Sequence, residues 1–220
     1  MFLVNNLNKS QIRIAKRLHD QMPRWVITNK SLDILCRKFP KFDEKSTLIK
    51  AVVINSLFGT NVFAIERMSE HIKKVIERTD LRSAGPELVE AIALLPKTKG
   101  QMKSRQYISF ASKFSHFFIN NKRFPILDSY AKIMLRYHLG RANFIENKKH
   151  QYTAFVENFN KLRELAYLDV STRELDHYLW IAGLYRAWKK NPKKRINVDA
   201  RSLFENPSPI AAVYLDKFFL

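Results

Sequence analysis

Apolar residues recur in this chain at helical spacing, in runs bounded mostly by proline or glycine, and that pattern leaves little room for anything but helices. Ser10 to Gln21 places Ile12, Ile14, Ala15 and Leu18 on one side and stops at Met22-Pro23. Trp25 to Phe39 carries Leu32, Leu35 and Cys36 and ends at Pro40. Ser46 to Leu57 is apolar almost all round, which predicts a buried helix, and Phe58-Gly59-Thr60-Asn61 breaks it. Val62 to Glu77 is amphipathic through Phe63, Ile65, Met68, Ile72, Val75 and Ile76. A short helix follows Gly85-Pro86, from Glu87 to Leu95, and Pro96 closes it.

The second half reads the same way. Tyr107 to Phe118 is strongly apolar, Ser129 to Leu139 follows Pro125, and Phe144 to Tyr167 is charged on one side. Glu174 to Trp188 sets Leu175, Tyr178, Leu179, Ala182, Tyr185 and Trp188 on a stripe whose spacing fits core. The tail, Ser208 to Leu220, is apolar enough to dock as a last helix. With only 5 Gly in 220 residues and few dense β-branched runs, the expected class is all-α. At 46% hydrophobic and 12% aromatic residues the chain can bury a sizeable core, so disorder is excluded.

Charge then narrows the function. Lys and Arg number 39 against 20 Asp and Glu, a net +19, and a folded chain so basic points to a polyanion, with nucleic acid the first candidate. No uncharged apolar run is long enough to span a bilayer, and the first residues lack a signal-peptide core, so a cytoplasmic protein without membrane contact is expected. Cys36 is the single cysteine, which excludes an internal disulfide and a multi-thiolate metal site, and it reads as a small core residue. The six histidines show no metal-ligand spacing, so neither metal nor cofactor is expected.

Two stretches carry chemistry. Pro96 to Ser104 is a basic loop holding Lys97, Lys99 and Lys103, either a solvated connection or a phosphate-binding turn. Arg123-Phe-Pro-Ile-Leu-Asp128 leads into the Ser129 helix, and Asp128 falls where a carboxylate accepts the first free N–H groups of that helix. Asp128 is then either a plain helix cap or a carboxylate at a site. His116 fits a satisfied core histidine, with a place in a pocket as the alternative. Lys189 to Arg195 is a basic stretch that fits a linker or a backbone-contacting patch.

In order, a lysine-rich turn, an apolar helix, a short loop ending Phe-Pro-Ile-Leu-Asp128 and a following helix resemble the helix-hairpin-helix DNA glycosylases with the 8-oxoguanine glycosylase fold. The segment Thr47 to Met68 looks like that family's early helix, which ends in a loop filling the gap left by a flipped nucleotide. The likeness spans roughly residues 46–140 and implies a single domain over 1–220. Its two helical lobes would flank a DNA-binding cleft, a central one of about 46–140 and another from the N- and C-terminal helices. It makes Asp128 the catalytic carboxylate, Lys97, Lys99, Lys103, Lys113 and Arg105 contacts to DNA, and Asn55, Leu57 and Phe58 the wedge. Double-stranded DNA is the implied partner, and the chain is expected to be a monomer.

The chain departs from that pattern at Leu95-Pro96-Lys97-Thr98-Lys99-Gly100, where the family's hairpin reads Leu-Pro-Gly-x-Gly. Only one glycine stands where two would let backbone amides approach a phosphate. Near Ser109-Phe110-Ala111, where bifunctional relatives carry a Schiff-base lysine, there is none. A monofunctional glycosylase for a damaged or modified base is therefore expected, with Lys113 the reserve nucleophile and hypermodified phage DNA, hence antiviral defence, a variant. The alternatives are a non-catalytic nucleic-acid-binding module and a helical interaction protein.

Overall fold

Capping residues between the apolar runs decide where the helices begin. The computed structural model describes residues 3–97, 105–193, 195–216 and 218, and these form eleven helices and one two-residue antiparallel ladder, 67% helix in all. The all-α class expected from the apolar spacing is what forms. The chain packs as two units, one of residues 1–30, 128–145 and 158–220, the other of 31–127 and 146–157. No helix among the described residues is long and apolar enough to cross a membrane.

In the first unit, α1 (Lys9–Asp20) opens with a capping box in which Asn8 and Gln11 bond each other's backbone N–H. Helix α9 (Thr172–Lys190) opens the same way through Ser171 and Glu174. The buried side of α1 (Ile12, Ala15, Leu18) packs on α9, and α7 (Ser129–Asn143) packs on α9 as well. Gly183 permits that last approach, since a Cβ there would lie 2.4 Å from the Tyr130 carbonyl oxygen. Gly140, at φ +70°, interrupts α7, and Val4 lies over it, 2.3 Å from where a Cβ would be. The backbone N–H of Val4 donates to the His138 carbonyl at 2.8 Å, and the Asn5 amide donates to the Tyr137 carbonyl at 2.7 Å. His138 is buried behind them, donating through Nδ1–H to the Asn5 carbonyl (2.7 Å) and accepting at Nε2 from the Tyr178 hydroxyl (2.8 Å). The unit closes with α10 (Val198–Glu205) and α11 (Pro209–Asp216).

The second unit begins within α2 (Pro23–Lys38) and contains α3 (Glu44–Phe58), α4 (Ile65–Glu77), α5 (Pro86–Ala93), the ladder of β1 (Leu94–Leu95) with β2 (Arg105–Gln106), and α6 (Ile108–Phe118). Helix α3 is capped by Asp43, whose carboxylate accepts from the Ser46 N–H and hydroxyl. Arg123 holds the turn after α4, donating to the carbonyls of Leu81 (3.2 Å), Arg82 (2.6 Å) and Ala84 (2.8 Å). Helix α8 (Gln151–Leu165) starts in this unit, where the Glu90 carboxylate of α5 accepts from the N–H groups of Tyr152 and Thr153.

Several expectations need correction. The apolar surface of α3 is not buried throughout: Ile49, Val52 and Leu57 are exposed, while Thr47, Lys50, Ala51 and Ile54 face inward. An all-round apolar helix in a small unit has more apolar surface than there are neighbours to cover it, and here a lysine takes an inner position. Its ammonium donates to the Lys41 carbonyl at 2.7 Å and lies 3.9 Å from the Phe42 ring centre. Burial pushes the Lys50 pKa down, against the opposing influence of Cys36 and Asp43.

Phe63 precedes α4 rather than joining its apolar face, and is 85% exposed. Cys36 is half-buried rather than core. The helix expected from Phe144 begins only at Gln151, because the Asn147 side chain accepts from the N–H groups of Lys149 and His150 and turns the chain there. Helix α10, capped by Asn197, forms where no element was expected, while Leu94–Leu95, expected to end the helix from Glu87, instead form β1 and pair with β2.

Candidate functional site

The segment that delivers Asp128 is irregular backbone, so each of its peptide groups needs a partner from elsewhere. The carbonyls of Phe124 and Pro125 and the N–H of Leu127 find them in three buried side chains of the second unit, while the Phe124 N–H donates to the Asn120 carbonyl at 3.0 Å. His116, on α6, donates from Nδ1–H to the Phe124 carbonyl at 2.8 Å, which fixes its tautomer. The Tyr152 hydroxyl, from α8, donates to the Pro125 carbonyl at 2.8 Å. Ser112 Oγ accepts from the Leu127 N–H at 3.1 Å, with the carbonyls of Leu127 and Ser109 at 3.3 and 3.1 Å within reach of its proton. Phe124, Pro125 and Leu127 are themselves buried.

Asp128 follows directly as the cap of α7 in the first unit. Its backbone is extended, at φ −136° and ψ 174°, and its half-buried carboxylate accepts from the Ala131 N–H at 2.8 Å. Tyr130, two residues on, has its pKa raised by burial and then by the Asp128 charge.

Lys113 lies on α6, 7% exposed, with its ammonium 2.6 Å from Ser109 Oγ and 5.8 Å from the centre of the Phe58 ring. Phe58 is half-buried and stacks on Phe117, with ring centres 5.5 Å apart. Leu57 is exposed. Asn55 is committed to the turn after α3: its Oδ1 accepts from the Val62 N–H and the Thr60 hydroxyl, both at 2.9 Å, and its Nδ2 donates to the Val62 carbonyl at 3.1 Å. Lys97 and Arg105 are exposed at the two ends of the basic loop, Arg105 paired with Leu95 in the ladder. Lys99 and Lys103 lie outside the described residues. Lys113 and Phe58 are thus brought together, while Asn55 serves the turn beside them. Among the described residues no group of three or more His, Cys, Asp or Glu could hold a metal ion.

Two residues that hold the 124–127 strap, Ser112 and Tyr152, leave no mark in the sequence pattern. They act through side-chain-to-backbone bonds 15 and 27 residues along the chain, which no local pattern announces.

An all-α chain with this arrangement has relatives. Residues 6–123, more than half of the 220, match the HI_0787_N family, described as an N-terminal domain, and the chain belongs to that family. A Haemophilus influenzae protein described as uncharacterized is 30% identical over 136 residues, which is 59% of this chain and 62% of the relative. The chain therefore spans less than two thirds of that relative's length. No solved structure matches it.

Proposed function

We propose that this chain binds double-stranded DNA and excises a damaged or modified base, with Asp128 as its catalytic carboxylate. The observation that carries the reading is the strap at 124–127, whose peptide groups are held by the buried side chains of His116, Ser112 and Tyr152 and which ends at a half-buried aspartate. Three buried polar side chains are a large outlay for a segment that merely links two helices. The net charge of +19 supports a DNA partner. The resemblance to helix-hairpin-helix glycosylases gives the two features a common purpose.

In this reading the bond between the sugar C1′ and the base nitrogen breaks, its electron pair leaves with the base, and positive charge grows on the sugar. A carboxylate next to that charge stabilises it and orients the water that adds to C1′. Lys113 is not the nucleophile in this reading, since it is buried and its ammonium is held by Ser109 Oγ inside α6. The enzyme is monofunctional. A second reading, a nucleic-acid-binding module without catalysis, is favoured by one observation: the bond from Ala131 N–H to Asp128 is what an ordinary helix cap makes.

The test incubates the protein and Asp128→Asn with duplexes carrying damaged and hypermodified bases, phage DNA included. Strand breaks that appear only after alkali, and only with the unsubstituted protein, are expected. Breaks without alkali would return Lys113 to the role of nucleophile. Binding without breaks on any substrate would leave the module.

A further inference from the structure

In the first unit α11 lies alongside α1, and three bonds fix its register. The Ser208 hydroxyl, just before α11, donates to Gln21 Oε1 at 3.0 Å, the Tyr214 hydroxyl accepts from Arg17 at 2.8 Å, and the Phe218 carbonyl accepts from Gln11 at 3.3 Å. Residue numbers fall along α1 as they rise along α11, so the two helices run antiparallel. Their seam is exposed at its middle, where the Arg17 guanidinium lies 5.2 Å from the centre of the Tyr214 ring. The two helices thus contribute to one continuous surface.

Each helix brings a different property to it. Opposite its buried side, α1 carries Lys9, Arg13, Lys16 and Arg17, all exposed and spaced to fall on one stripe. Among the described residues none of the four has a carboxylate at ion-pair distance. The first turn of α1 holds no acid and begins with Lys9, a placement that opposes the helix dipole and so does not serve the helix itself. Two acids lie close by. Asp20 ends the stripe, 3.7 Å from His19, and Glu174 has its pKa lowered by its bonds from Ser171 and, less, by Lys16. Helix α11 adds Ile210 and Val213, 63% and 50% exposed, on the side that also holds the half-buried Tyr214.

We propose that the α1–α11 surface docks this protein peripherally on an anionic phospholipid bilayer. Headgroup phosphates gather under the cations, Ile210 and Val213 enter the boundary between headgroups and acyl chains, and Tyr214 stays at headgroup level. Nucleic acid would use the cations but leave the two branched aliphatic side chains idle, since they offer neither a stacking face nor a hydrogen-bond donor. A second copy of the chain would set cation against cation. Mobile headgroups need no fixed match to the stripe, as a folded acidic partner would. The absence of a spanning helix bears on crossing a bilayer and not on this contact. The inference goes beyond the DNA-binding reading and does not rest on it.

Co-sedimentation of the full chain with vesicles of equal parts phosphatidylglycerol and phosphatidylcholine tests it, next to vesicles of phosphatidylcholine alone. The parent should bind the anionic vesicles and not the neutral ones. Lys9→Gln combined with Arg13→Gln should weaken that binding by about 25-fold, about fivefold for each cation near the surface. Ile210→Ser combined with Val213→Ser should leave a weaker binding that salt removes entirely, while the parent keeps part of its binding at high salt. All four side chains are exposed, so neither double variant should melt below the parent, and a loss of binding cannot be laid to misfolding. Failure of the parent to bind anionic vesicles would overturn the proposal. So would an equal loss in Lys132→Gln with Lys148→Gln, two exposed lysines elsewhere, because net charge alone would then explain the binding. An aliphatic double variant that binds like the parent at every salt concentration would refute the membrane reading. If the Lys9 and Arg13 substitutions weaken binding to a DNA duplex and leave vesicle binding unchanged, the stripe belongs to nucleic acid instead.

Discussion

Replacing Arg123 should destabilise the second unit more than any other single surface change there. Its guanidinium joins the loop after α6 to three carbonyls within four residues, those of Leu81, Arg82 and Ala84. The bonds to Leu81 and Ala84 are partly buried, and each such charge-assisted bond is worth about 1–1.5 kcal/mol net. The bond to Arg82 is exposed, water replaces it readily, and about 0.5 kcal/mol is a fair value for it. Arg123→Ala should therefore cost about 3 kcal/mol, since it also strands two partly buried carbonyls. Arg123→Lys, with one compact ammonium in place of a planar fork, should recover no more than about half of that.

Urea unfolding followed by far-UV circular dichroism reads the loss. Tryptophan fluorescence does not, because Trp25, Trp180 and Trp188 all belong to the first unit. Hydrogen exchange at residues 81–84 should quicken in step. A loss below about 0.5 kcal/mol, or a lysine variant as stable as the parent, would refute the argument that the three bonds act together.

Two further perturbations follow from the first unit. Burial holds the His138 pKa down at about 4, below the ordinary 6.5, so the unfolded chain takes up a proton there that the folded one refuses. Its contribution is intact above pH 6.5 and is lost as pH falls towards 4, with about 2 kcal/mol gone at pH 5. His19, also lowered chiefly by burial, adds in the same direction, and urea midpoints between pH 7.5 and 5 should fall steadily; a flat profile would count against a neutral His138. Gly183→Ala should destabilise the α7–α9 contact by about 1–3 kcal/mol despite the better helix propensity of alanine, because the new Cβ meets a backbone carbonyl that cannot swing aside. A variant of unchanged melting temperature would mean that α7 can withdraw from α9 without loss.

The helices were readable because their ends are written locally. Asn8 with Gln11, Ser171 with Glu174 and the prolines at positions 23 and 86 each act within one turn of the helix they start. Which side of a helix faces inward is decided by neighbours distant in the chain, and there local reading failed on α3. Lys50 is buried because Phe42 and the Lys41 carbonyl receive its ammonium, while Ile49 and Val52 lie on sides that nothing covers. The same division runs through the candidate site. The capping geometry of Asp128 was legible from its place before a helix, and His116 was expected to be a satisfied core residue, as its bond to Phe124 makes it. Ser112 and Tyr152 were not, since each holds backbone that arrives from another part of the chain.

The chain crosses between its two units four times, within α2, at the start of α7, after α7 and within α8, so neither unit is a continuous stretch of sequence. During synthesis the second unit cannot be complete until residue 157 has emerged. The first must wait until residue 218: Gln11, on α1, donates to the carbonyl of Phe218 at 3.3 Å. Until α9 has been made, α1 lacks the helix it packs on in its unit, and its apolar side, with Ile12, Ala15 and Leu18, is uncovered. A ribosome stalled between residues 123 and 172 would therefore carry the whole family-matched segment and still hold that side open. Helix α1 is the natural place for a chaperone to hold this chain until α9 is made.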